Sequence, residues 1–193
     1  MKQPQKTEPA DPLDMVLKEH DLHQKMCDLL EEIADSLPNK VDRKKARHAA
    51  NTLKYDLPLH HRLEEEALFP LLVKYAADED NAGEIIGRLS DEHVVDEGFA
   101  EELVEVLEQL AQGKPLEDAN MFGYMLRGFF ENYRRHIIWE NSVVLPLVRR
   151  RFPADGLREL ASLIADLQTG SCDQDAKTPA CPACNEYSGK SKK

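Results

Sequence analysis

Three His-x-x-x-Glu pairs, His60/Glu64, His93/Glu97 and His136/Glu140, stand in one chain of 193 residues, with His20 upstream in a similarly apolar stretch. In an α-helix, positions i and i+4 share a face, so each pair aims an imidazole and a carboxylate into one space. Together with His20 they offer seven nitrogen and oxygen donors. The chemistry this fits is metal binding, because imidazole with carboxylate suits iron, manganese or zinc rather than magnesium or calcium. Seven ligands are too many for one ordinary transition-metal ion, whereas two ions sharing carboxylates use them all. A lone histidine on an apolar helix face is normally a core residue with one hydrogen bond. Four of them, three with a carboxylate one turn later, are costly to bury without a cation.

Helices must carry these residues. Leu13, Val16, Leu17, His20, Cys27, Leu30 and Ala34 follow the 3-4 spacing of a buried stripe, and Ser36-Leu37-Pro38-Asn39 breaks it. A second pattern runs from about Asp42 to Ala77, with Pro58 and Pro70 inside it predicting a kink or a helix end. A third spans about Ala82 to Gln112 and closes at Gly113-Lys114-Pro115, and a fourth runs from about Leu116 to Arg151. A short fifth helix, about Ala154 to Leu167, packs outside. The expected fold is all-α, an up-down-up-down four-helix bundle with a short fifth helix and flexible termini. Its expected divisions are a tail over residues 1–11, the bundle with its extra helix over 12–168, and a flexible cysteine-containing tail over 169–193.

An internal repeat supports this more strongly than periodicity does. His60, Glu64 and Leu68-Phe69-Pro70-Leu71 recur in register as His136, Glu140 and Val144-Leu145-Pro146-Leu147, and Glu19-His20 is echoed by Glu92-His93. Two facing helical hairpins then build a two-ion site on a pseudo-twofold axis. Gln24 breaks the pattern, standing after His20 where Glu97 stands after His93; an amide is a poor ligand, so an open metal position is expected there.

Acidic residues outnumber basic ones by 36 to 25, for a net charge of −11, which argues against nucleic acid or an anionic membrane as partner. The opening residues lack the apolar run of a signal peptide, and no uninterrupted stretch is long enough to span a bilayer. A cytoplasmic protein with reduced thiols is the expectation.

The run HHRLEEEALFPLL at residues 60–72, with His20 before it and the histidines of helices three and four after it, resembles the hemerythrin-like, HHE cation-binding family over roughly residues 12–152. Ferritin-like bundles place Glu before His at a spacing of three, the reverse of what stands here. The resemblance implies two iron ions in a carboxylate-bridged non-haem centre. Carried over by position, His93, His136 and Glu97 hold one iron, His20 and His60 hold the other, and Glu64 and Glu140 bridge. Oxygen-carrying hemerythrins have a histidine where this chain has Glu97. A third carboxylate favours the ferric state, so chemistry with dioxygen, peroxide or nitric oxide at one open iron is expected rather than oxygen transport. That includes peroxide-consuming or ferroxidase activity. The alternatives are an iron or oxygen sensor or store without turnover, and a zinc-binding structural bundle.

Other residues read more plainly. His23, His48 and His61 lie off the ligand face and are expected to be exposed or hydrogen-bonded, while Glu65 and Glu66 form a solvated face, although His61/Glu65 is an alternative i, i+4 pair. Tyr133, one turn before His136, is either a partner of the metal ligands or core packing. Trp139, Phe69 and Cys27 are core. In the tail, Cys181 and Cys184 form a CxxC with Cys172 upstream, which is either a set of incidental thiols or three-quarters of a metal or thiol site open to a protein partner.

Overall fold

The computed structural model describes residues 11–174, and these form five helices with no strand among them. Helix α1 covers Pro12–Ser36, α2 residues 43–75, α3 Ala82–Ala111, α4 residues 119–151 and α5 Ala154–Gln174. Aspartates start three of them: Asp11 accepts from the Leu13 N–H, Asp42 from the Lys44 N–H and Asp118 from the Met121 N–H. Gly113 ends α3 at φ 80°, with its own N–H on the Leu110 carbonyl and the Lys114 N–H on the Gln109 carbonyl, a paired closure that needs a left-handed residue. Helix α1 packs along α4 and α2 along α3, and contacts between α1 and α2 and between α3 and α4 complete the ring. No described helix is long and apolar enough to cross a membrane.

The prolines do not interrupt their helices as expected. Helix α2 runs through Pro58 and Pro70 by way of two π-turns, Thr52–Asp56 and Glu64–Leu68, and α4 passes Pro146 after a third, Glu140–Val144. Proline has no N–H and crowds the carbonyl four residues back. Switching to i→i+5 bonding just before it, with Leu57, Phe69 and Leu145 donating to Thr52, Glu64 and Glu140, absorbs that conflict without ending the helix. The repeat is therefore structural, since Glu64 and Glu140 each open a π-turn.

Two apolar clusters fill the bundle. One, around Leu30, Leu53, Leu103, Leu107, Leu126 and Phe129, lies toward one end. The other, around Val16, Leu68, Leu72, Leu89 and Val148, lies toward the opposite end. Between them sits a polar layer of buried histidines and glutamates. Helix α5 is neither short nor merely external. It continues past Leu167 to Gln174, and Leu160 and Ile164 are fully buried in the second cluster, where they cover α1 and α2.

Candidate metal centre

Helices α1 to α4 each deliver one histidine to the polar layer, and α2 and α4 add a glutamate. His20, His60, His93, His136, Glu64 and Glu140 are all buried. They form two groups, His20/His60/Glu64/Glu140 and His93/His136/Glu64/Glu140, in each of which one donor atom per residue lies within 4.8 Å of the others. Both groups share Glu64 and Glu140. Glu64 stands 3.7 Å from His20 Nε2, 3.7 Å from His60 Nε2 and 3.3 Å from His93 Nε2. Glu140 stands 3.4 Å from His20 Nε2 and 3.1 Å from His136 Nε2.

None of the four Nε2 atoms has a hydrogen-bond partner, nor has Glu64 Oε2 or either Glu140 carboxylate oxygen. Buried polar atoms are almost always satisfied, so this concentration of lone pairs facing one another fits a cation and little else. Donor type agrees, because two imidazoles and shared carboxylates at each group match a borderline transition metal.

The outer nitrogens explain why the inner ones are so aligned. His60 Nδ1–H donates to Glu19 of α1 at 3.2 Å, and His93 Nδ1–H to Glu65 of α2 at 2.9 Å. His136 Nδ1–H donates to Glu92 of α3 at 2.9 Å, and His20 Nδ1–H to Asn141 of α4 at 2.7 Å. Each helix thus fixes the histidine of the next, and α4 closes the circle back to α1. Such a partner sets the tautomer, pins the ring and raises imidazole basicity, and only Asn141 among the four is uncharged. These partners are sequence neighbours of the cage residues: Glu19 and Glu92 precede a cage histidine, while Glu65 and Asn141 follow a cage glutamate. Glu65 is therefore more than a solvated face, whereas Glu66 is exposed.

Glu97 is placed differently from its expected role. Its side chain is 43% exposed and accepts from His61 Nδ1 at 3.0 Å, outside both groups. Glu97 follows His93 by the same regular turn that separates Glu64 from His60 and Glu140 from His136, but its carboxylate goes to the buried His61 of α2 instead of the shared space between the groups. The cage therefore holds two carboxylates, without the expected third negative charge.

Of the two roles expected for His23 and His61, the structure shows the hydrogen-bonded one, with both rings buried. His61 stacks on His93 with ring centroids 4.0 Å apart, and its Nε2 has no partner. His23 turns inward where Gln24 leaves the pattern, 4.6 Å edge-on from the His60 ring, with Tyr133 Oη 2.8 Å from its Nδ1. Asp96, also buried, has an unpartnered Oδ2 and accepts from Asn132 at 3.3 Å. Phe69 stacks on His93 at 5.8 Å, Cys27 is a free buried thiol, and Trp139 lies half-buried under the Arg88 guanidinium. Cys181 and Cys184 lie outside the described residues, and Cys172 falls in the last turns of α5.

Burial disfavours charge throughout the layer, and the imidazole–carboxylate contacts decide the outcome. For His20 and His93 the carboxylates outweigh burial and the pKa rises, and His136, beside Glu140, is carried up to about 9. Glu64, although wholly buried, is held well below the usual carboxylate range by His60, His20 and His93. Burial takes His61 down to about 4 and His23 well below its ordinary value, so both are neutral.

A family model for the hemerythrin HHE cation-binding domain matches residues 11–148, the span that contains all six cage residues. No curated protein matches the chain.

In protein stripped of metal, His136 is stabilising while protonated. That contribution is complete below about pH 6.5 and lost as pH rises through about 9. The urea midpoint of the stripped protein should fall between neutral pH and about pH 10, while the loaded protein, whose ligand histidines are deprotonated at every pH where metal stays bound, should show a flatter profile. Glu97→Gln should leave metal stoichiometry by elemental analysis unchanged, whereas Glu64→Gln should lose metal from both groups.

Proposed function

Because the chain belongs to the hemerythrin HHE cation-binding family, we propose that the cage holds two iron ions and that the protein binds or reacts with dioxygen, peroxide or nitric oxide at an open iron position. The observation that carries this reading is the set of unpartnered Nε2 and carboxylate atoms, arranged as two groups that share Glu64 and Glu140. Iron would supply ferrous–ferric redox chemistry and a site for a small oxygen or nitrogen ligand.

Each residue then has a defined task. His20 and His60 would hold one ion, His93 and His136 the other, with Glu64 and Glu140 common to both sets, and ions held there would supply a place for an exogenous ligand. Glu19, Glu65 and Glu92 present carboxylates to the histidines they face, which firms their hold on a metal, but Asn141 offers His20 only a neutral amide oxygen. The ion between His20 and His60 is accordingly the less firmly held, and the open position expected beside His20, where Gln24 offers no ligand, falls at that same ion. Apolar clusters above and below limit water access. The free thiol of Cys27 suits a reducing compartment such as the cytoplasm.

Protein produced with iron supplied should contain two irons per chain, and its reduced form should develop new absorption bands with dioxygen, peroxide or azide. Turnover of peroxide or ferrous iron would mark an enzyme, and a lasting adduct without turnover a sensor or store. Zinc without any oxygen response, or undiminished iron in a His60→Ala/His136→Ala variant, would falsify the di-iron reading. Asn141→Asp should tighten the weaker ion about tenfold, seen by competition with a chelator.

A further inference from the structure

Behind the cage lies a buried pair that metal ligation does not employ. Tyr133 has no exposed surface and His23 almost none. Tyr133 Oη stands 2.8 Å from His23 Nδ1 and has no other partner among the described residues, so its single hydrogen is donated to that nitrogen. The Tyr133 ring lies against His136, centroids 5.6 Å apart and planes within 8°, while His23 meets His60 edge-on at 4.6 Å. The pair therefore touches one histidine of each metal group.

A phenol that keeps its proton is hard to oxidise, because the cation radical left behind is a strong acid. Oxidation becomes accessible when a base within hydrogen-bond reach takes the proton in the same event. At 2.8 Å the proton has under about 1 Å to travel. Phe129, stacked on Tyr133 at 5.6 Å, and the surrounding apolar cluster keep out water that would quench a radical.

Rival sites among the described residues are less suited. Tyr124 and Tyr55 are exposed, and the Tyr75 hydroxyl donates to Glu159, which is solvent-accessible. Trp139 carries the Arg88 guanidinium 4.9 Å from its ring, and that positive charge opposes removal of an electron.

We infer that Tyr133 and His23 form a proton-coupled one-electron donor set beside the metal cage. One electron leaves the Tyr133 phenol for a one-electron oxidant, the O–H bond breaks, and the proton forms an N–H bond at His23 Nδ1. A neutral phenoxyl and an imidazolium remain, and the oxidant is reduced by one. A single electron returned by a reductant sends the proton back. In the working protein the oxidant would be an oxidised metal ion in the cage, which rests on the di-iron reading. The competence of the pair itself does not need iron.

The test uses full-length, iron-free protein oxidised by photogenerated tris(bipyridine)ruthenium(III) and frozen for electron paramagnetic resonance. The expected result is a persistent tyrosyl signal, with the lowered g-anisotropy of a hydrogen-bonded phenoxyl, that forms more slowly in deuterated water. It should be lost in Tyr133→Phe, kept in Tyr124→Phe and at least tenfold shorter-lived in His23→Ala. A signal that survives Tyr133→Phe, or one in the unmodified protein with no isotope effect and the wide g-anisotropy of a phenoxyl that has no hydrogen bond, overturns the inference. The g-values and isotope effect need no substitution, so they decide the matter even if a variant misfolds. Because iron is absent, failure here leaves the di-iron reading standing, and failure of iron loading leaves this result readable.

Discussion

Everything in this bundle answers to the burial of Glu64 and Glu140. Two carboxylates withdrawn from water cost several kcal/mol each unless opposite charge meets them, and both stand about 1% exposed at mid-height in an otherwise apolar interior. Four histidines converge on them from four helices. With protons on some of those imidazoles the layer is a network of ion pairs, and with cations between the donors the same atoms become a coordination cage. The two states compete for the same lone pairs, which couples metal loading to proton release.

The backbone is adapted to that layer. Each glutamate shared by the two groups opens a π-turn that a proline then follows, so the helical ladder changes its bonding where the buried carboxylate stands. Around the outside, Glu19, Glu65, Glu92 and Asn141 hold the histidines in a head-to-tail circuit of the four helices. Further donors support the circuit, as the Ser90 hydroxyl donates to Glu65 and the Arg88 guanidinium to Glu92. The asymmetry of the centre then comes from one amide in that outer ring, since the inner donor sets are alike.

Much of this was legible in the residues. Helix boundaries followed from Pro12, the Ser36–Asn39 break and Gly113, because caps and breakers act locally. The pairs in α2 and α4 were legible because the repeat and the apolar stripe coincide there. Glu97 was misplaced because i+4 spacing says only that two side chains share a helix face, and does not reveal that His61 of the neighbouring helix takes the Glu97 carboxylate as its partner. His23 was set aside although i+3 is also the ligand face. His61, one residue and about 100° from His60, points at α3, a direction that only the packing of α2 along α3 defines. The length of α5 was underestimated since polar residues after Leu167 carry no buried stripe, and the helix persists there by continuation.

The placement of the polar layer between two apolar clusters also bears on register. Stripes of leucine and alanine repeat every turn, so sliding one helix by about 5.4 Å against its neighbours costs such a stripe little. Here a one-turn slip in any helix would carry a histidine or glutamate out of the layer and into hydrocarbon, while its outer partner lost its hydrogen bond. The buried ionisable residues therefore serve as the vernier of the bundle, selecting one vertical alignment from several that the leucines alone would tolerate.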